Sequence, residues 1–203
     1  MTWVKVCGMT SDAAIESAVV AGADAIGLVL DSRSPRSVTI EVAGELVAGL
    51  TIASFIVTVD YRPGEALAAA ETVCATGIQP HGDHSLEVVA AALKAGYLTL
   101  APVPVGPDGP LIDWAEIPDA SMLLYDTASA DRHGGTGTVF DWTLLGDPGR
   151  PFVLAGGLGV DNVAAAIEEV QPFGVDASSR LESVPGVKDL SRIVDFIREA
   201  KTA

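Results

Sequence analysis

The feature that most constrains this chain is a rhythm. Short runs rich in Val, Ile and Leu alternate with Ala-rich stretches of helical pattern along 203 residues. The runs are Thr2 to Cys7, Ala25 to Leu30, Ser54 to Val59, Gly77 to His81, Tyr97 to Pro102, Met122 to Asp126, Phe152 to Ala155 and Gly174 to Ala177. Such apolar runs suit strands covered on both faces. Between them, Ser11 reads as an N-cap, Ala13 to Ala21 as a helix and Gly22 as its stop. Ser85 to Ala95 before Gly96, Asn162 to Val170 before Pro172, and Leu190 to Ala200 repeat that logic. Units of this size join by right-handed crossovers into a parallel sheet.

Eight strands favour a closed sheet: an α/β fold, a (β/α)8 TIM barrel forming one domain over residues 1–203. An open doubly wound sheet is the competing architecture. It would be supported by GxGxxG after the first strand, where the chain has Cys7-Gly8-Met9-Thr10. Barrels usually take ~250 residues, with ~200 as the lower end, so the connections must be short. Two are irregular. Val103 to Asp119 holds four prolines and predicts a long connection with a poor helix. Thr127 to Thr138 is polar and Gly-rich, the composition of a mobile active-site lid.

Twelve basic against 27 acidic residues, a net charge of -15, argue against a nucleic-acid surface. An anionic small molecule remains compatible if a few cations or helix N-termini meet it. Cys7 and Cys74 are too few for a disulfide framework or a structural zinc site, and His81, His84 and His133 form no ligand motif. No metal is expected. The opening MTWVKVCG has no basic segment leading into an apolar run, and no apolar stretch approaches ~18 residues. The expected location is the cytoplasm, with no membrane contact.

Catalytic groups of a barrel sit at the C-terminal ends of its strands. Those ends hold Cys7, His81 with Asp83 beyond, Asp126, Gly156-Gly157, and Asp176 followed by Ser178-Ser179. Trp3, Lys5 and Cys7 share one strand face. Lys5 inside a barrel is costly unless it reaches a polar site, and a cation there would favour a Cys7 thiolate usable as a base. Cys7 reads equally as a small buried hydrophobe. Asp126 closes an apolar run, as a general acid of raised pKa would, or as a turn cap would. The paired glycines and paired serines suit a phosphate held by backbone N–H groups, a site that recurs after strands 7 and 8 of barrels. His81 reads as a substrate contact or as a strand-end hydrogen bond. Arg36 could pair with a carboxylate, but its local sequence favours a solvated surface arginine.

Several stretches together resemble the phosphoribosylanthranilate isomerase family. They are Val4-Lys5-Val6-Cys7-Gly8-Met9-Thr10, Ala21-Gly22-Ala23-Asp24-Ala25-Ile26-Gly27, Ser34-Pro35-Arg36-Ser37-Val38 and Gln79-Pro80-His81-Gly82-Asp83. Asp126, Gly134-Gly135-Thr136-Gly137, Phe140-Asp141-Trp142, Leu154-Ala155-Gly156-Gly157-Leu158, Gly174-Val175-Asp176-Ala177-Ser178-Ser179 and Pro185-Gly186-Val187-Lys188-Asp189 complete the set. The resemblance runs from residue 4 to the end, weakest between 97 and 120. It implies an aldose–ketose isomerase of tryptophan biosynthesis, working by an Amadori rearrangement on a small phosphorylated substrate without metal or organic cofactor, as a monomer or homodimer. It implies Asp126 as general acid, Cys7 as general base and Arg36 as the clamp for the anthranilate carboxylate. Lys5, His81 and Asp176 would also line the substrate. Gly156, Gly157, Ser178 and Ser179 would hold the phosphate, with Arg180 beside them.

Three residues depart from the family pattern. Pro80 replaces a usual Leu, removing a donor inside a central strand and threatening to displace His81. Arg180 replaces a usual Gly, to obstruct the phosphate loop or add a cation to it. Asp60 replaces a usual Asn and adds negative charge near an anionic substrate. Two other functions compete. A histidine-pathway or dual-substrate isomerase would need a second Gly-rich phosphate loop after strand 3 or 4, where the chain has Asp60-Tyr61-Arg62-Pro63 and His81-Gly82-Asp83-His84. A barrel that binds a phosphorylated ligand without chemistry would bind but not turn over.

Overall fold

The computed structural model describes residues 1–127, 140–146 and 148–203. Eight strands run in chain order: β1 (Trp3–Cys7), β2 (Ala25–Val29), β3 (Ala53–Val59), β4 (Gly77–His81), β5 (Leu98–Gly106), β6 (Met122–Thr127), β7 (Phe152–Leu154) and β8 (Gly174–Ala177). Each pairs in parallel with the next, and β8 returns to β1, so the sheet closes into a barrel. The α-helices among the described residues are α1 (Asp12–Ala21), α2 (Ile40–Val47), α3 (Pro63–Val73), α4 (Ser85–Lys94), α5 (Val163–Val170) and α6 (Leu190–Thr202).

The helix ends follow the local chemistry. The Ser11 hydroxyl accepts from Ala14 N, and Gly22 stops α1 at φ 94°, a left-handed conformation that glycine adopts without a Cβ penalty. Helices α2 and α3 were not among the helical patterns picked out above. Their starts lie at Thr39, which caps Val42 N, and at Pro63, the first helical residue. Between β5 and β6 there is no α-helix, only a short 3-10 turn at Trp114–Glu116, as the prolines there predict.

Side chains alternate between two environments. Val4, Val6, Ile26, Leu28, Ile56 and Ile78 face outward into a continuous core shared with the helices. Facing inward, Phe55, Leu100, Leu124 and Val153, with Trp3 packed against them, plug the barrel. Above the plug the interior turns polar, with Lys5, Gln79 and Asp176 all buried. An enzyme barrel needs that division: an apolar floor for stability and a polar mouth for chemistry.

Proline at position 80 does not break β4 or displace His81. Pairing with β3 continues through Thr58↔Pro80 and Val59↔His81. Successive strand residues point their N–H groups alternately to the two neighbours. Asp60 N donates to His81 O, so odd residues of β4 face β3 and position 80 faces β5. Leu98 N donates to Thr76 O, so even residues of β5 face β4. Pro80, Pro102 and Pro104 therefore all lack a donor on the same seam. Pairing there stops at Ile78↔Thr99. Beyond it, Gly109–Pro110 folds back antiparallel beside β5, with Leu111 N donating to Pro104 O, and takes the place β4 would have filled. Strand β5 runs on to Gly106, four residues past the expected end at Pro102.

Candidate active site

The mouth of the barrel gathers the side chains that end β1, β4, β6 and β8. Lys5 is wholly buried, with Nζ 2.7 Å from Asp176 Oδ2 on the adjacent strand. Burial alone would lower its pKa, but Asp176 and Cys7 outweigh that and hold it charged. Cys7 lies one pleat further up, also buried. Burial pushes its thiol above the usual range, against the opposing pull of Lys5 and Lys188. Gly27 pairs with Cys7 across β1 and β2. A Cβ at Gly27 would lie 2.7 Å from Sγ and 3.2 Å from Lys5 Nζ, so the missing side chain makes room for both groups.

His81 closes β4. Burial first, and Lys5 second, pull its pKa down to about 4, so the imidazole is neutral at physiological pH. Its Nε2 lies 3.0 Å from the Gln79 side-chain nitrogen. A neutral ring accepting there carries its proton on Nδ1. Asp126 closes β6, half-buried. Burial and the nearby Asp176 carboxylate push its pKa up to about 6, while the Thr127 backbone and Lys5 pull weakly the other way. A carboxyl in that range can hold a proton near neutrality and also release it. Asp176 Oδ1 and Gln79 Oε1 are buried without a hydrogen-bond partner among the described residues. Buried polar atoms are normally satisfied, so two orphans in one mouth mark acceptor positions for a ligand.

The loop after β7 lies against this acid. Gly156 and Gly157 take φ 84° and 66°. A Cβ on Gly156 would fall 2.6 Å from Thr127 N and 3.1 Å from Asp126 Oδ1. Among the described residues, no hydrogen bond occupies the Gly156, Gly157 or Ser178 N–H. Ser178 and Ser179 lie beyond β8 on the same side, both partly exposed. These are the positions at which the sequence leads one to expect an anion cradle. Arg180 does not point its charge into it. Its guanidinium is bound to both oxygens of Asp161 at 2.7 Å and to the Gly157 carbonyl at 3.0 Å. Gly159 leaves the space for it, since a Cβ there would lie 3.1 Å from Arg180 Nε. The loop is neither obstructed nor given a free cation; the arginine ties it to the turn that precedes α5.

Arg36 corrects the surface reading. It is buried, 8% exposed, and forms a two-pronged pair with Glu182: Nε to Oε1 at 2.6 Å and Nη2 to Oε2 at 2.9 Å. Glu182 also accepts from Lys188 Nζ at 2.9 Å and from Gly186 N at 3.2 Å. Sequence reasoning missed Glu182, Lys188, Gln79 and Asp161 as site residues. For Lys188 the one signal was its place in the stretch Pro185 to Asp189. Asp60 sits at a left-handed φ of 59° and accepts from Asp83 N at 3.3 Å, stapling the ends of β3 and β4. Arg33 lies 3.7 Å from it and partly offsets its charge. The lid expected over residues 127–138 lies outside the described residues from 128 onward, as do Gly134 to Gly137 and His133.

Comparison with known proteins gives one answer. A family model described as N-(5'phosphoribosyl)anthranilate (PRA) isomerase matches residues 4–199. An N-(5'-phosphoribosyl)anthranilate isomerase of Ralstonia pickettii is 39% identical over 100% of this chain and 94% of its own length. The solved structure of TrpF from Jonesia denitrificans superposes with a TM-score of 0.84 at 36% identity, covering 99% of this chain and 97% of that one. A phosphoribosyl anthranilate isomerase solved in complex with reduced 1-(o-carboxyphenylamino)-1-deoxyribulose 5-phosphate superposes with a TM-score of 0.80 at 29% identity, with both chains fully covered.

Proposed function

The chain belongs to the N-(5'-phosphoribosyl)anthranilate isomerase family, and from that premise we propose how its own residues perform the rearrangement. The reaction converts N-(5'-phosphoribosyl)anthranilate into 1-(2-carboxyphenylamino)-1-deoxyribulose 5-phosphate, a step of tryptophan biosynthesis. C1' is reduced while C2' is oxidised, so the redox change is internal and no external electron acceptor is required.

Asp126 gives its proton to the furanose ring oxygen. The C1'–O bond breaks as the anilino nitrogen supplies its electron pair, leaving an open-chain protonated Schiff base. The Cys7 thiolate then takes the C2' proton, and the electron pair moves toward C1' to give an enolamine. Protonation of C1' and loss of the C2' hydroxyl proton complete the ketone. The observation that carries this reading is Asp126 at the barrel mouth, beside the Gly156 turn: with a pKa pushed up to about 6 it holds its proton in about a tenth of the molecules at pH 7, far more than an ordinary aspartate would. Burial keeps Cys7 a thiol at rest, and Lys5 beneath it, which pulls against that burial, stabilises the thiolate once the proton leaves. Neutral His81 and the unpartnered Gln79 and Asp176 oxygens offer hydrogen bonds to the sugar hydroxyls.

The two ends of the substrate are anionic. The phosphate goes to the Gly156, Gly157, Ser178 and Ser179 backbone, of which Gly156 lies beside Asp126. The anthranilate carboxylate goes to Arg36, whose remaining Nη1 has no hydrogen-bond partner among the described residues. Arg180 acts by holding the phosphate loop rather than by touching phosphate. The acidic staple of Asp60 and Asp83 makes the ends of β3 and β4 a poor place for a second phosphate, which disfavours a bisphosphate substrate. No described helix is long and apolar enough to cross a membrane. A cytoplasmic site suits a phosphorylated substrate and a cysteine that works as a free thiol.

Adding the protein to freshly generated phosphoribosylanthranilate and following the loss of anthranilate-type fluorescence tests the reading. Turnover is expected, and Asp126→Asn should reduce kcat by roughly 10²–10⁴-fold, the usual worth of a positioned acid, with affinity for the reduced product analogue retained. Turnover undiminished in Asp126→Asn would remove Asp126 as the acid.

A further inference from the structure

Two buried charges have been given no part in the reaction so far. Lys188 and Glu182 have side chains only 1% and 4% exposed. They face each other across a short antiparallel pair, Glu182–Val184 with Val187–Lys188, that follows β8. Lys188 Nζ donates to the Ser178 carbonyl at 3.0 Å, lies 3.4 Å from the Ser178 hydroxyl, and donates to Glu182 Oε1 at 2.9 Å. Glu182 in turn grips Arg36 with both oxygens. A continuous chain of charge-assisted bonds, Arg36–Glu182–Lys188–Ser178, therefore joins the residue assigned to the anthranilate carboxylate to the loop assigned to the phosphate.

Stability alone is a weak reason for such a chain. Desolvating several charges is costly, and apolar side chains of similar volume would secure the hairpin as well or better. What ions add is defined geometry, because a two-pronged guanidinium–carboxylate pair fixes orientation as well as distance. A β-carbon at Gly8 would meet Arg36 Cδ at 2.7 Å and Ser178 Oγ at 3.0 Å, so the two ends of the chain converge beside Cys7.

We propose that Lys188 is a positioning residue for the isomerisation: through Glu182 and Ser178 it sets the spacing between the anthranilate clamp and the phosphate loop, so that the enzyme measures the distance between the two anions of its substrate. This rests on the assignment of those two ends above. The substrate's rigid aryl carboxylate and its 5'-phosphate then dock on one preset frame, and C2' is placed over Cys7 by its ends.

The test uses the reduced product analogue with and without its 5'-phosphate, each titrated by calorimetry into the wild type, Lys188→Met and Glu182→Gln. Wild-type binding of the phosphorylated analogue checks the underlying assignment; failure there sinks that assignment and is distinct from a failure of the frame. With the frame intact in the wild type, Lys188→Met should weaken the phosphorylated analogue by about tenfold or more and also weaken the dephosphorylated one, because Arg36 loses its fixed partner geometry. Glu182→Gln should mirror this, lowering the advantage that the phosphate confers although residue 182 lies at the other end. Lys188→Arg should recover part of the loss. The proposal is overturned if dephosphorylated analogue binds Lys188→Met as it binds wild type, since no effect then reaches Arg36. Should Lys188→Met lose its cooperative melt, Glu182→Gln decides alone: an unchanged ratio between the two analogues overturns the frame.

Discussion

Two carboxylates at the mouth of this barrel, one half-buried and one buried, behave in opposite ways. Around Asp126 the surroundings offer little: burial and the Asp176 charge raise its pKa to about 6. Around Glu182 burial works in the same upward direction, but Arg36 and Lys188 more than cancel it and hold the group below the usual carboxylate range. Burial is common to both. The number of donors aimed at each oxygen separates a proton source from a strut. The β6 side of the mouth is left short of cations, which makes an acid. The β8 side is crowded with them, which makes a frame.

The comparison can be broken most severely at Glu182. Glu182→Leu leaves Arg36 and Lys188 buried with their main partner gone, and should cost about 3–5 kcal/mol in urea unfolding. Asp126→Asn should cost little at neutral pH, since it removes a carboxylate whose ionised form the site disfavours. A Glu182→Leu protein as stable as the wild type would erase the distinction.

The pH dependence of stability sharpens the same contrast with a smaller effect. The folded pKa of Asp126 is raised, so its contribution is fully present below the unfolded value near ~3.9 and is lost as pH rises through about 6. The folded pKa of Glu182 is lowered, so its contribution is present above the unfolded value near ~4.3 and is lost as pH falls through the depressed folded value. Between about pH 4 and 6 the wild type should therefore lose stability relative to Asp126→Asn as pH rises. Chemical denaturation at several pH values measures it, and parallel curves for the two proteins would contradict the raised pKa.

How much of this could be read from sequence depends on how local the cause is. The eight strands were legible because burial on both faces demands continuous Val, Ile and Leu. The placement of Cys7, His81, Asp126 and Asp176 at the mouth was legible because strand ends are where a barrel does chemistry. Arg36 was misread as a surface arginine because nothing near Ser34-Pro35-Arg36 indicates that Glu182, 146 positions away, will cover it. Glu182 and Lys188 escaped notice in a short hairpin of loop-like composition. The end of β5 was placed too early because Pro102 and Pro104 argue against a strand. They are tolerated since their missing donors face a seam already vacated by Pro80.

On the phosphate side, Arg180 gives a modest test. Its pair with Asp161 is partly solvated, and such pairs contribute about 0–1 kcal/mol, so Arg180→Gly should hardly change thermal stability. If the pair steadies the Gly156-Gly157 loop, KM should rise a few-fold with kcat little changed. An unaltered KM would mean that the loop holds its shape without the tie. Asp161→Asn should give the same result, because either change opens the same bond.

The smallest expected effect concerns the seam. Pro80→Leu restores an N–H aimed at β5, and one intramolecular hydrogen bond is worth about 0.5–1.5 kcal/mol net. The same substitution frees the unfolded chain and costs about 0.4–1 kcal/mol. The two nearly cancel, so global stability should move by less than about 1 kcal/mol. Hydrogen exchange can read what the balance hides. The amide restored at position 80 should exchange slowly if it bonds to β5, and fast exchange there would show that the seam stays open. A large gain in global stability would instead mean that Pro80 strains β4, contrary to its unbroken pairing with β3.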